Sequence, residues 1–376
     1  MKVATSVLLF SVLGLLFLGI VTLVSASTGQ PEARYLIMQP IWAGVGLIAC
    51  ALAAWMDYRF LKRIWWLLLL VSVALLSLVW VPHIGVSNHG AARWLAYGGV
   101  RLQPSECAKL ALIISLAWYA EHFQRHMGSL VRGLIVPCLG VGAVLFLIFR
   151  EPDVGTTLLL ASVSGLMLLV AGVRWSYVVP PFVAGVVAIV IFIAHDPMRS
   201  DRVYAWLHPE ETKLDKGLQT YQSVAAFGSG GLKGVGLGEG RQKLGFVPEH
   251  HTDFIFSVIG EELGWIATTS VLVTFLLILV CGVYISWNAA DTFGMLVASG
   301  ITFLIAMQVF INVGVVTGSL PNKGLALPFL SYGGSNLVVM LASVGLLISV
   351  GRHAALTATM PGPLAGLEDV GTPQHG

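Results

Sequence analysis

Apolar side chains fall in long blocks along this chain, separated by short polar connections. A membrane-spanning helix needs about 20 predominantly apolar residues. Ten blocks approach or meet that length, at roughly 4–26, 37–56, 64–82, 106–120, 131–149, 154–173, 176–194, 257–286, 292–316 and 329–350. The fourth is the weakest, because Lys109 and Glu121 bracket a short apolar run. The pattern predicts an all-α polytopic membrane protein of about ten transmembrane helices. The one long polar interval, about 195–256, becomes a large extracytoplasmic loop between helices seven and eight. Residues 1–353 then form a single membrane domain, and 354–376 a short disordered cytoplasmic tail. The first block, with Val24-Ser25-Ala26 near its end, has the look of a signal peptide. Its apolar run is longer than the 7–15 residues of a signal core, which predicts a retained first helix.

Composition agrees with the blocks. The chain is 56% hydrophobic and 11% charged, against about 25% charged in soluble domains. A net charge of +2 gives no reason to expect a nucleic-acid partner. Cys50, Cys107, Cys138 and Cys281 lie in or beside apolar runs without paired spacing, and read as small core hydrophobes. Short loops facing the cytoplasm carry the excess of Lys and Arg. Lys2, Arg59, Lys62, Arg63, Arg125, Arg132, Arg174 and Arg352 fall on one side, and Arg34, Arg93, Arg101, Arg150 and Lys323 on the other. Both termini are therefore expected in the cytoplasm.

Polar chemistry gathers on the opposite, outer face. It comes from 93–109 (RWLAYGGVRLQPSECAK), 150–157 (REPDVGTT), the long loop, and 318–336 (GSLPNKGLALPFLSYGGSN). Arg93 and Arg101 suit either headgroup anchors or ligand contacts, and Lys109 either snorkels outward or pairs with Glu106 at i,i+3. Residues 150–153 read as a structural turn in which Pro152 starts a helix and Asp153 lies in its first turn. Gln308 and Asn312 would hydrogen-bond neighbouring helices. The glycine-dense 228–240 lacks the P-loop order; it is either a flexible linker or a backbone cradle for phosphate, with Arg241 and Lys243 following. The densest stretch is 246–264, FVPEHHTDFIFSVIGEELG, where Pro248 suits a first helical position and Thr252 or Asp253 a cap. Two histidines and four acids at a water–membrane boundary exceed what a helix start requires, since ionisable groups at membrane depth are costly.

PEHHTDFIFSVIGEELG resembles the hallmark of the SEDS family of polytopic glycosyltransferases. Four further stretches resemble family signatures in the same order: RWL with QPSECAKLA, EPDVGTT, YQSVAAFGSGGLKGVGLGEGRQK, and LPNKGLALPFLSYGGSN. The likeness runs from the first block to about Arg352, and Gln242-Lys243 before the hallmark is closer to the division branch than to the elongation branch. It implies ten spans, cytoplasmic termini, and polymerisation of lipid II into peptidoglycan strands at the outer face of the cytoplasmic membrane, for septal wall synthesis. Asp253 matches the family's essential aspartate and takes the role of catalytic base. Arg93, Lys109, Lys243 and Lys323 are the expected cations for the diphosphate, with Arg241 beside them, while Glu106, Glu249 and His251 orient the acceptor or tune Asp253. The implied partners are lipid II, the growing lipid-linked glycan, a class B penicillin-binding protein acting as transpeptidase, and other divisome membrane proteins. No cofactor is required by the motifs, although a divalent cation, Mg or Mn, suits a site holding diphosphates and carboxylates. A lipid II flippase would carry ionisable groups near the bilayer midplane, often with repeat symmetry, and a non-catalytic divisome scaffold would not need a carboxylate among cations.

Overall fold

The structure, a computed structural model, describes residues 1–26, 34–81, 85–88, 91–97, 100–213, 215, 217–240 and 252–359. Its α-helices among these residues are α1 Lys2–Ala26, α2 Arg34–Trp55, α3 Leu61–Leu78, α4 Pro104–His122, α5 Val136–Arg150, α6 Val154–Val170, α7 Trp175–His195, α8 Pro197–Leu207, α9 Leu218–Gly230, α10 Ile255–Trp287, α11 Thr292–Val316 and α12 Gly334–Thr359. Every apolar block in the sequence is matched by a helix. Eight of these helical stretches are long and apolar enough to cross a membrane. The other two matched helices fall short for visible reasons: α4 carries Glu106, Lys109 and Glu121, and α6 has 17 residues.

The bundle is organised around α11 and α12, each 67% buried over its apolar window, while the window of α7 is 0% buried and lies at the periphery. Helix α12 lies along α2, α10 along both α1 and α11, and α6 and α4 flank α11 from the other side. Leu8, Ile113, Leu160, Ile259, Phe293, Ile301, Leu304 and Met340 close the core between them. Small hydroxyl residues inside these helices bond to their own backbone, as Ser72 does to Leu68 O (2.8 Å), Ser115 to Ala111 O (2.7 Å) and Thr302 to Ala298 O (2.7 Å). A polar group surrounded by hydrocarbon is thereby satisfied without a partner helix.

The connections segregate to two faces. On one face Arg59 meets Asp291 (3.2 Å), and Lys62 meets both Glu121 (2.7 Å) and Asp291 (3.4 Å). That ionic cluster joins the α2–α3 turn, the end of α4 and the α10–α11 turn, which the alternation of ten spans puts on one side. The other face gathers the four polar stretches. Here the structure adds an element that reading 93–109 as a plain loop does not supply. A three-stranded antiparallel sheet comprises β1 Gly85–Asn88, β2 Ala91–Tyr97 and β3 Val100–Leu102, with Gly85 opposite Leu95 and Ala96 opposite Arg101.

The block at 257–286 is also not one continuous helix. Helix α10 breaks at Gly264 (φ 75°, ψ −170°), and the glycine-dense segment closes the gap. Trp265 N donates to Gly231 O (2.9 Å) and Ile266 N to Leu232 O (3.3 Å), while Val235 N and Gly236 N reach Glu261 O and Glu262 O (both 3.0 Å). A Cβ at Gly234 (φ 80°) would lie 2.1 Å from Glu262 O, and one at Gly264 would lie 2.3 Å from Gly234 N. Only glycine permits both the positive φ and this approach of two backbones. The segment is thus not a free linker. The amides of 235 and 236 are used on α10, and the stretch is a structural seam.

Candidate functional site

Asp253 lies in the turn just ahead of α10. The residue capping that helix is Phe254, with no side-chain cap bond, so neither Thr252 nor Asp253 serves as the cap expected of it. What fixes Asp253 is α11. The Nδ2 of Asn312 donates to Asp253 O (2.8 Å) and to Leu325 O (2.7 Å), clamping the hallmark segment to the 318–333 loop. Asn312 is 2% exposed, so this clamp works in a water-poor setting where a backbone hydrogen bond is hard to replace. Phe254 and Phe256 are buried, and Phe256 packs edge-on against Phe227 of α9 with ring centres 5.6 Å apart. With the backbone held, the carboxylate lies over Gly324: a Cβ there would come within 2.5 Å of Asp253 Oδ2.

The residue before Gly324 is Lys323. Burial pushes its ammonium down to about 8, and the positive fields of Arg199 and Arg202 on α8 add to that, against the attraction of Asp153. The loop carrying it is pinned from outside by α8 and α9. Trp206 Nε1 donates to Gly318 O (2.8 Å), Ser223 Oγ to Val316 O (2.7 Å), and Asn322 Nδ2 to Gln219 Oε1 (2.9 Å).

Glu106 and Lys109 form the floor. Lys109 is fully buried, with Nζ 2.7 Å from Glu106 Oε1 and 3.5 Å from Gln308 Oε1. The second oxygen of Glu106 accepts from Asn336 Nδ2 (3.0 Å), and Gln308 Nε2 continues the chain to Ala326 O (2.7 Å). One polar chain therefore ties α4, α11 and α12 to the Lys323 loop. Gln103 N, at the start of α4, adds a bond to Ser335 Oγ (3.1 Å).

Arg93 on β2 spends its donors on backbone. Its Nε reaches Glu151 O (3.1 Å) and its Nη2 reaches Pro152 O (2.6 Å). The 150–153 turn so held brings two acids to this face. Asp153, 5% exposed, caps α6 through Thr156 N (3.1 Å) and Thr156 Oγ1 (2.8 Å); the helix starts after it rather than at Pro152. Glu151 is 1% exposed, and burial together with the neighbouring Asp153 drives its carboxyl up to about 8, with Arg93 opposing. Glu151 and Asp153 lie on the site face, as expected of 150–157; what reading the turn as structural left out is a chemical role for Glu151. Gln308 and Asn312, four residues apart in an apolar helix, lie on one face; Gln308 makes the expected bond to a neighbouring helix, at Lys109 of α4, whereas Asn312 reaches the carbonyls of Asp253 and Leu325.

Of the residues singled out in sequence, the structure brings Asp253, Lys323, Arg93, Glu106 and Lys109 to one face of the bundle. Arg241, Lys243, Glu249 and His251 lie outside the described residues. Among the described residues no group of three or more His, Cys, Asp or Glu side chains is placed to hold a metal ion.

Comparison with known proteins bears on the whole assembly. The profile of the FtsW/RodA/SpoVE family, described as cell cycle proteins, matches residues 3–356. A probable peptidoglycan glycosyltransferase FtsW of Trichlorobacter lovleyi is 41% identical over 366 residues, covering 96% of this chain and 95% of that one. Stage V sporulation protein E of Bacillus subtilis is 39% identical over 347 residues, 90% and 94% of the two chains. Among solved structures, a chain from a peptidoglycan synthase complex with coordinated polymerization and crosslinking superposes with a TM-score of 0.79 at 28% identity, covering 92% and 97%. The rod shape determining protein RodA of Thermus thermophilus gives 0.69 at 28% identity, covering 92% and 96%.

Proposed function

The chain belongs to the FtsW/RodA/SpoVE family of cell cycle proteins, and on that premise we propose that the face built around Asp253 polymerises lipid II into peptidoglycan strands. The protein is a multi-pass membrane peptidoglycan glycosyltransferase. Its relatives of the FtsW type support septal wall synthesis as its setting, at the outer face of the cytoplasmic membrane with both termini inside. The observation that carries the reading is the Asp253 carboxylate lying over Gly324, next to Lys323, on a backbone that α11 holds through Asn312.

In this reaction the 4-hydroxyl of the N-acetylglucosamine on lipid II attacks C1 of the reducing-end sugar of the growing lipid-linked glycan. The new C1–O bond forms as the bond from C1 to the lipid diphosphate breaks, and the electron pair leaves with the diphosphate. The hydroxyl proton passes to Asp253, the general base. Diphosphate is a good leaving group, so its departure is favoured by positive potential more than by an acid. Lys323, with Arg199 and Arg202 near it, supplies that potential, and Arg241 and Lys243 are the further cations assigned to it. Arg93 keeps the 151–152 backbone in place beneath the diphosphate. Glu106 and Lys109 support the site from below, and Glu249 and His251 orient the acceptor sugar. The synthase complex among the structural neighbours supports a class B penicillin-binding protein as the crosslinking partner.

The test is glycan-strand formation from lipid II by the purified protein with its transpeptidase partner. Asp253→Asn is nearly isosteric but cannot take the proton, and base catalysis contributes about 10²–10⁴-fold. We expect at least two decades of lost rate, with lipid II binding and partner association retained. Polymerisation by Asp253→Asn near the wild-type rate would remove Asp253 from the chemistry. Transport of lipid II without polymer formation by the wild type would instead favour a flippase.

A further inference from the structure

Glu151 and Asp153 are two residues apart, and the structure treats their carboxyls oppositely. Both oxygens of Asp153 accept hydrogen bonds from Thr156. Both oxygens of Glu151 are buried without a hydrogen-bond partner among the described residues, at 1% exposure. The backbone of Glu151 is nevertheless fixed on both sides, its N–H on Ile148 O (3.0 Å) and its carbonyl under Arg93 Nε (3.1 Å). A carboxyl on a fixed backbone, buried and without a hydrogen-bond partner among the described residues, calls for an explanation.

We propose that Glu151 is a proton-bearing hydrogen-bond donor to a phosphoryl oxygen of the lipid-linked substrate, positioning the diphosphate beside Lys323. The inference rests on the polymerase reading above. Ionised, Glu151 would add a second negative charge beside Asp153 and repel the anionic substrate. Protonated, it offers an O–H and adds no negative charge. The charged groups facing it are Asp153 and Arg93, with Lys323 coupled to Asp153 beyond. The balance of burial and Asp153 against Arg93 leaves the carboxyl protonated up to about pH 8. An O–H donor in a field containing Arg93 and Lys323 suits an anionic acceptor, and the diphosphate is the anion this site handles.

Steady-state polymerisation of lipid II by the full chain with its transpeptidase partner tests this. A hydrogen bond to a charged group contributes roughly 10- to 100-fold, so Glu151→Ala should raise KM for lipid II by that factor while kcat moves less. Glu151→Gln retains an N–H donor of similar reach and should stay within about threefold of wild type. Because the acid's folded value is raised, the donor form is present below about pH 8 and lost above it. Lys323 loses its charge over the same interval, so the pH profile is taken in a Lys323→Arg background. There the alkaline fall should persist with Glu151 and vanish with Glu151→Gln. The proposal is overturned if Glu151→Gln is as damaging as Glu151→Ala, if Glu151→Ala leaves KM unchanged, or if the alkaline fall survives in Glu151→Gln. Melting and partner co-purification of each variant separate misfolding from lost binding. Asp253→Asn in the same assay reports on the polymerase reading separately.

Discussion

Replacing Lys109 with methionine removes the ammonium from the floor of the site while keeping most of the side-chain volume. Lys109 is fully buried, 2.7 Å from Glu106 and 3.5 Å from Gln308. Without it, Glu106 is left 4% exposed with Asn336 as its remaining partner among the described residues. Stranding one member of a buried ion pair costs about 3–5 kcal/mol, whereas replacing the whole pair by neutral groups of similar size is often close to neutral. Lys109→Met should therefore unfold several degrees below wild type, and Glu106→Gln with Lys109→Met should regain most of the loss. Tryptophan-fluorescence melting of the purified protein in detergent measures both. Polymerisation should follow the same order, because the pair anchors the chain of bonds running through Gln308 to Ala326 and the Lys323 loop. If Lys109→Met melts with wild type, the ion pair is not structural. Loss of polymerisation at unchanged melting would make Lys109 a substrate ligand instead. A double variant as unstable as the single one would refute the argument that an orphaned charge is the cause.

Two further outcomes follow from the same geometry. Gly324→Ala places a methyl 2.5 Å from the Asp253 carboxylate; a displacement of about an ångström at reacting groups costs on the order of 10²-fold, so strand synthesis should fall by that scale at normal expression, and a loss of under about twofold would show that this contact does not position Asp253. Cysteines introduced at residues 60 and 125 should label only from the cytoplasm, and those at 90 and 215 only from outside; the reverse pattern would put the proposed site in the wrong compartment.

The helices were legible because lipid imposes a severe rule on composition. Blocks of about 20 apolar residues have few other uses, and each became a helix. Legibility ended wherever backbone met backbone. Nothing in GSGGLKGVG distinguishes a linker from the seam that closes the break at Gly264, because that pairing depends on glycines 30 residues apart being brought into contact. The sheet at 85–102 was missed for a related reason. Its strands are 4, 7 and 3 residues long, too short for alternation to stand out beside membrane helices.

The candidate site divides along the same line. Asp253 and Lys323 could be found from residue type and from resemblance to a family. Sequence does not reveal what fixes them, since it cannot say which carbonyls a buried amide will reach. Asn312 and Gln308 read as two polar residues in an apolar helix. In the fold, Asn312 holds Asp253 O and Leu325 O, and Gln308 holds Ala326 O while meeting Lys109. The proposed base and the cation loop are thus tied to neighbouring turns of one mostly buried helix. Their separation is set by helix packing and does not depend on the loops alone. A glycan polymerase gains from that arrangement, because the acceptor hydroxyl, the sugar carbon and the diphosphate must align anew at every addition, on substrates anchored in a fluid bilayer.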